Sequence, residues 1–314
     1  MFYTKFTIVL LCLFNLAEAQ SFKISYTPKT FSGPFTGKVL LYLSKDTKTP
    51  KEATTALPKL TAYAIDVKNI KPNTAVLIDD QAISYPVKLS EIERGEYYVQ
   101  AVWDRNTGGR SIANSADNMY STSEKLKISS NTKQVFTINC NEVIPRGKFE
   151  ESKYAKELKV NSSLLSAFHN KPMTIEAAVV LPREYYTEPG RKFPVLFEIS
   201  GYGGNYLTDF NTSNDSSSVP LDSIPCIYVF LDGNCSWGHH EYANSEFNGP
   251  WGDAFVKELI PALEKNYRCN GARVLWGHSS GGWSTLWLQI QYPQIFAGTW
   301  SRPPDPVRFR HFCG

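Results

Sequence analysis

Ser279 stands in the run Gly277-His278-Ser279-Ser280-Gly281, where a serine hydroxyl flanked at two positions on each side by glycine can act as an acyl-transfer nucleophile. A serine hydroxyl is intrinsically a poor nucleophile. It needs exposure, a base to take its proton and donors to hold the oxyanion that forms. The Gly-x-Ser-x-Gly spacing supplies exposure when a strand ends at the serine and a helix starts directly after it, the small residues letting both elements close in on the turn. The bare pattern is weak, since it arises by chance in about one chain in ten of this length. Its surroundings make it specific: Arg273 to Trp276 reads as an apolar strand and Ser280 to Gln291 as a helix. An ordinary glycine-rich turn between strand and helix is the plain alternative.

An oxyanion site combines the backbone N–H after the nucleophile, here Ser280, with one from the loop that follows an earlier strand. Val195 to Ile199 is such a strand, and Gly201-Tyr202-Gly203-Gly204 is its loop. Glycines there allow close backbone approach to a substrate carbonyl. The second donor is placed at Tyr202, with Gly203 beside it.

The elements that would position this chemistry alternate. Met173 to Leu181, Val195 to Ile199, Cys226 to Asp232 and Arg273 to Trp276 are near-continuous apolar runs, as suits strands buried on both faces of a mostly parallel sheet. Between them Asp253 to Tyr267 reads as a helix, with Phe255, Leu259, Ile260 and Leu263 on one stripe and Pro261 distorting it. Before residue 140 the pattern differs. Val39 to Leu43, Thr74 to Ile78, Tyr97 to Asp104 and Gln134 to Cys140 read as strands divided by Gly, Pro, Asn and Asp turns, with no helical periodicity. This implies an antiparallel sandwich. Glu142 to Lys159, polar and charged, marks the boundary.

Ser200-Gly201-Tyr202-Gly203-Gly204, Gly238-His239-His240, Asn248-Gly249-Pro250-Trp251-Gly252, the helix from Glu258 to Glu264 and the run from Gly277 to Trp283 together resemble the Putative esterase family. This is the enterochelin esterase-like and esterase D branch of the α/β hydrolases, and the resemblance runs from about residue 170 onward. It implies ester hydrolysis by a Ser, Asp and His triad, in that chain order, with the acid and histidine on later strands. A sandwich domain ahead of the hydrolase also occurs in the family. Only 35 residues follow Ser279, enough for one helix and one strand, Phe296 to Ser301, so the hydrolase domain is expected to be incomplete at its C-terminus. Asp305 and His311 are the downstream candidates for acid and base. They lie in a Pro-Asp-Pro-Val-x-Phe-Arg stretch that resembles a family landmark, and Arg308 stands where an acid is expected.

His239 and His240 could be read as metal ligands or as a base. Adjacent side chains point apart in an extended chain, so joint metal binding is not expected. With Trp251 they are assigned to the substrate pocket, Trp237 and Tyr242 completing its aromatic walls. His278 is expected to pack or hydrogen bond rather than catalyse. No metal or cofactor is called for: the cysteine spacings contain no CxxC and no neighbouring His set.

Composition bounds the rest. With 42% hydrophobic and 13% aromatic residues the 314-residue chain can bury a proper core and suits two domains. Thirty-three basic against 30 acidic residues, with no long like-charged run, argue against nucleic acid as a partner. Lys5, the apolar run Phe6 to Leu16 and Ala17-Glu18-Ala19 form a secretory signal, with cleavage expected before Gln20. No stretch approaches the roughly 20 apolar residues of a membrane span. Cys12 leaves with the signal, and of the five remaining cysteines Cys235 and Cys269 are the expected pair.

The sequence therefore reads as an α/β protein with a signal peptide at 1–19, an antiparallel, immunoglobulin-like β-sandwich at 20–140, a linker at 141–170 and an α/β-hydrolase domain at 171–314. Its expected function is that of a secreted or periplasmic serine esterase acting on a small-molecule or carbohydrate-linked ester. A serine peptidase on the same fold and a non-catalytic ligand-binding pseudo-esterase are the alternatives.

Overall fold

The computed structural model describes residues 20–53, 60–108, 111–129, 134–207, 210 and 224–306. The segment 1–19 read as a secretory signal, the polar run 211–218, Arg308, His311 and Cys313 lie outside them. The chain divides into two compact units, one comprising residues up to 105 together with 119–143, the other 106–118 together with 144 onward.

The first unit is built from β1 (Ser21–Tyr26), β2 (Phe35–Ser44), β3 (Leu60–Ile70), β4 (Val76–Ile78), β5 (Ile83–Tyr85), β6 (Gly95–Asp104), β7 (Met119–Tyr120), β8 (Glu124–Ile128), β9 (Val135–Cys140) and β10 (Glu142–Val143). One sheet runs β10-β7-β6-β2-β3-β5, with β8 also on β6, and the other runs β4-β1-β9. Alternation does what the sequence implies: Tyr97, Val99, Ala101 and Trp103 of β6 all enter one core with Phe22, Ile24 and Tyr26 of β1 and Ile138 and Cys140 of β9. Trp103 anchors it, its ring 4.8 Å from Tyr26 and 5.0 Å from Phe35. One pairing departs from the antiparallel expectation. β1 and β9 run parallel, Ser21 opposite Val135 through Tyr26 opposite Cys140. Parallel pairing needs a long connection, here most of the unit, so no local turn signal announces it.

The second unit is a six-stranded sheet in the order β11-β12-β14-β13-β15-β16, with β11 (Ala155–Asn161), β12 (Thr174–Val180), β13 (Phe193–Ile199), β14 (Ile227–Leu231), β15 (Cys269–Ser279) and β16 (Gly298–Pro304). The four strands β14, β13, β15 and β16 are mutually parallel, while β11 and β12 pair antiparallel on one edge. The stretch read as a linker, 141–170, therefore holds a sheet strand and a helix, α1 (Ser163–His169). β11 has the charged composition of a linker because it is an edge strand. Only Ala155 and Leu158 are buried, and Lys159 reaches both Glu157 and Glu176.

Helices flank this sheet. α2 is the short Glu184–Thr187. α3 consists of Trp251–Ala254 and Ile260–Asn266 joined by a π-helical segment, Phe255–Leu259. Pro261 has no N–H to donate, and the turn before it widens so that Ile260 N–H reaches Phe255 O. The predicted stripe survives the widening, with Phe255, Leu259, Ile260 and Leu263 all buried. α4 (Ser280–Gln291) follows β15 directly. Glu258 of α3 caps α1, its Oε1 accepting Ser163 N at 2.9 Å and Leu164 N at 3.1 Å.

Cys140, Cys226, Cys235 and Cys269 are free thiols, so the expected Cys235–Cys269 bond does not form. Cys269 opens β15 beside Phe193, at the amino end of β13, whereas Cys235 lies past the carboxyl end of β14. The two sit at opposite ends of parallel strands, beyond the reach of a disulfide.

Candidate active site

Parallel strands of an open α/β sheet leave a crevice outside their carboxyl ends, and Ser279, the glycine loop and Asp305 meet there. β15 ends at Ser279, whose backbone takes φ 56° and ψ −126°, a conformation that disfavours a side chain and persists only where the surroundings impose it. The surroundings are tight. A Cβ on Gly277 would fall 2.2 Å from Gly281 O, and one on Gly281 would fall 2.0 Å from Ile199 O. Neither position admits another residue without movement of backbone. β16 holds the start of α4 from the other side, Ser301 Oγ donating to Gly282 O at 2.8 Å.

The glycine loop closes on this turn. Gly201 sits where a Cβ would be 3.2 Å from His278 O and 3.4 Å from Ser279 Cβ. Tyr202 N–H donates to Ser280 Oγ at 2.9 Å, and Gly204 N–H to Gly201 O at 2.9 Å. Among the described residues the Gly203 amide, at φ +76°, donates to none. Glu198, Ser200, Tyr202, Gly203, His278 and Ser279 line one cleft of about 560 Å³. Burial pushes the Glu198 carboxyl above the usual carboxylate range, against a hydrogen bond donated by Tyr228 Oη that favours the charged form.

Asp305 is brought to the nucleophile. β16 runs parallel to β15 until a register shift between His278 and Ser279, and Asp305 N–H then reaches Ser279 O at 3.3 Å while Ser279 Oγ donates to Asp305 Oδ1 at 3.0 Å. A triad acid touches the histidine rather than the nucleophile, so this carboxylate occupies the position an imidazole would take. His278, expected to pack or hydrogen bond, is exposed and lines the same cleft.

His239, His240 and Trp251, assigned from sequence to the pocket, are buried instead. The His240 ring stacks on Trp251 with centroids 3.6 Å apart and planes 4° apart. Its Nδ1 accepts Tyr242 N–H at 3.2 Å, which places the proton on Nε2, donating to Asp232 O at 2.9 Å. Both ring nitrogens are engaged, so His240 is neither ligand nor base. Tyr242 Oη donates to the same carbonyl at 2.7 Å, and His239 Nδ1 accepts Glu241 N–H at 2.9 Å. Glu241 in turn accepts from Ser284 of α4 at 2.9 Å. The pair thus braces the end of β14 against the nucleophile helix. Glu241 and Tyr242 both take positive φ, and that tight turn folds the rings inward, which residue types alone do not reveal. Trp237 is 64% exposed and packs on Phe247, ring centroids 5.0 Å apart.

Burial holds His240 well below the ordinary imidazole range, the neighbouring His239 adding to it. As pH falls below about 6.5, the unfolded chain takes up a proton that the folded chain refuses. Stability is therefore lost toward acid, at up to about 1.4 kcal/mol per pH unit from this group. Melting temperature between pH 7.5 and 5 should fall more steeply in the parent than in His240→Gln, and equal slopes would refute the assignment.

Residues 167–307 match the family model described as Putative esterase. The matched residues take in the glycine loop, the turn at Ser279 and Asp305. Among solved structures, the chain is similar to the serine hydrolase FphF of Staphylococcus aureus (15% identity, 48% of this chain and 57% of that one, TM-score 0.39). It is similar also to an S-formylglutathione hydrolase from Agrobacterium tumefaciens (16%, 49% and 60%, 0.38) and to a ferulic acid esterase from Anaeromyces mucronatus (17%, 51% and 62%, 0.38). The chain spans about six tenths of the length of these structures. A comparison with curated proteins gave no match.

Proposed function

We propose that this protein is an exported serine esterase that cleaves a small-molecule or carbohydrate-linked carboxylic ester, with the first unit forming an immunoglobulin-like sandwich ahead of the esterase segment. The observation that carries the reading is Ser279 at φ 56° on the cleft it shares with the glycine loop. Its Oγ attacks the ester carbonyl carbon, the carbon–oxygen π pair moves onto oxygen, and the hydroxyl proton passes to a base. Collapse of the tetrahedral species expels the alcohol, which takes up that proton, and water then hydrolyses the acyl-serine by the same path in reverse roles.

The Ser280 amide, first in its helix and without an intrahelical acceptor, is one donor to the oxyanion. Tyr202 N–H is engaged by Ser280 Oγ, so Gly203 N–H is the second, and Tyr202 fixes the loop that presents it. Asp305 holds the nucleophile hydroxyl. The base is sought outside the described residues, where His311 follows Asp305 by six positions.

The carboxylate contact favours a second reading, a binding protein that keeps the cleft without turnover. A fluorophosphonate probe separates the two, because it modifies an activated serine and spares an inert one. Peptide mass mapping should find the phosphonyl group on Ser279. A natively folded protein left unmodified there would support the binding reading instead.

A further inference from the structure

We propose that Ser200 is a third oxyanion donor, its hydroxyl acting beside the Ser280 and Gly203 amides; the inference rests on the esterase reading. Ser200 is 6% exposed, and its Oγ, shielded from solvent, has no hydrogen-bond partner. Folded proteins rarely keep such a group, because a buried hydroxyl loses its water contacts and gains nothing in return. The neighbouring serines show the usual outcome. Ser280 Oγ accepts Tyr202 N–H, Ser284 Oγ lies 2.9 Å from both Ser280 O and Glu241 Oε2, and Ser301 Oγ donates to Gly282 O. Ser200 alone of these four is without a partner.

The fold also decides which way that hydroxyl can reach. The turn closed by Gly204 N–H on Gly201 O brings Gly204 back over Ser200, so tightly that a Cβ there would fall 2.6 Å from Ser200 Cβ and 3.0 Å from its Oγ. That side is walled by backbone. The open side is the cleft, which Ser200 lines together with Gly203 and Ser279. At the next residue, Gly201, an added Cβ would fall 3.4 Å from Ser279 Cβ, so the loop runs past the nucleophile one residue after the hydroxyl. A donor held in place without a ground-state partner gains most when negative charge develops in front of it. Ser200 therefore acts on the reacting oxygen in the transition state and contributes little to binding the neutral ester.

The test uses the full chain and two readouts, the rate of Ser279 phosphonylation by a fluorophosphonate and the melting temperature. Ser200→Ala should slow phosphonylation on the order of a hundredfold while melting at or above the parent's temperature, since alanine removes a hydroxyl that the fold does not use. An unchanged rate overturns the proposal. So does a lowered melting temperature, which would show the hydroxyl engaged within the fold. Failure of the esterase reading looks different: the parent would not be phosphonylated, or Ser279→Ala would be modified as fast as the parent, and the Ser200 proposal would fall with it.

Discussion

Ser279→Ala is expected to lower hydrolysis of an activated ester such as a nitrophenyl acetate by on the order of a millionfold, leaving a residual enhancement of roughly a thousandfold over water from the oxyanion donors and the cleft. The size follows from what the substitution removes. No other described hydroxyl stands on a strained strand-to-helix turn beside free backbone amides, and a tetrahedral species cannot form on a methyl group. The melting temperature should change little, because the hydroxyl's one described contact, with Asp305, is half-exposed. Nitrophenolate release followed in parent and variant gives the ratio. Retention of more than about a tenth of the parent rate would mean that turnover does not pass through Ser279.

Much of this site can be read in the sequence because its parts are local. Gly277, Ser279 and Gly281 lie within five residues, and the apolar run before them and the helix after them are contiguous, so spacing alone carries the turn. The glycine loop is legible for the same reason, following an apolar strand that pairs directly with the nucleophile strand, Ile199 opposite Gly277. What stays hidden is set by contacts across the chain. His240 and Trp251 look like pocket residues until a turn with two positive φ values folds the imidazole flat onto the indole. β11 reads as linker because the side chains that partner its charges, Glu176 with Lys159 and the Tyr206 hydroxyl with Glu157, are supplied by other segments. Asp305 is a candidate by position, but its direct contact with the nucleophile depends on a register shift no pattern encodes. Tyr202 shows the limit most sharply. The glycine pattern points to its amide as an oxyanion donor, yet Ser280, a neighbour in space only, engages that amide with its side chain.

Gly281→Ala should damage both the fold and the chemistry, by a route different from the loss of the hydroxyl. The new methyl would lie 2.0 Å from Ile199 O and 2.6 Å from Ser200 O. Both are backbone atoms at the carboxyl end of β13, and neither can swing aside as a side chain tip would. Relief requires α4 to lift from the sheet or the end of β13 to withdraw. The first move breaks the Ser301 contact to Gly282, where a Cβ would already meet Arg302 O at 2.6 Å. The second carries the 200–204 loop away from Ser279. Overpacking of this kind costs about 3 kcal/mol, a fall of roughly 6–12 °C in melting temperature for a unit of this size. Gly298→Ala is the matched control, since a Cβ there meets nothing within 4 Å. Because donors must stand within tenths of an ångström of the oxyanion to stabilise it, Gly281→Ala should also slow phosphonylation of Ser279 even at temperatures where the variant is fully folded. A variant that melts with the Gly298→Ala control would show that the strand end and the helix are not locked together, and the strained turn would then need another cause.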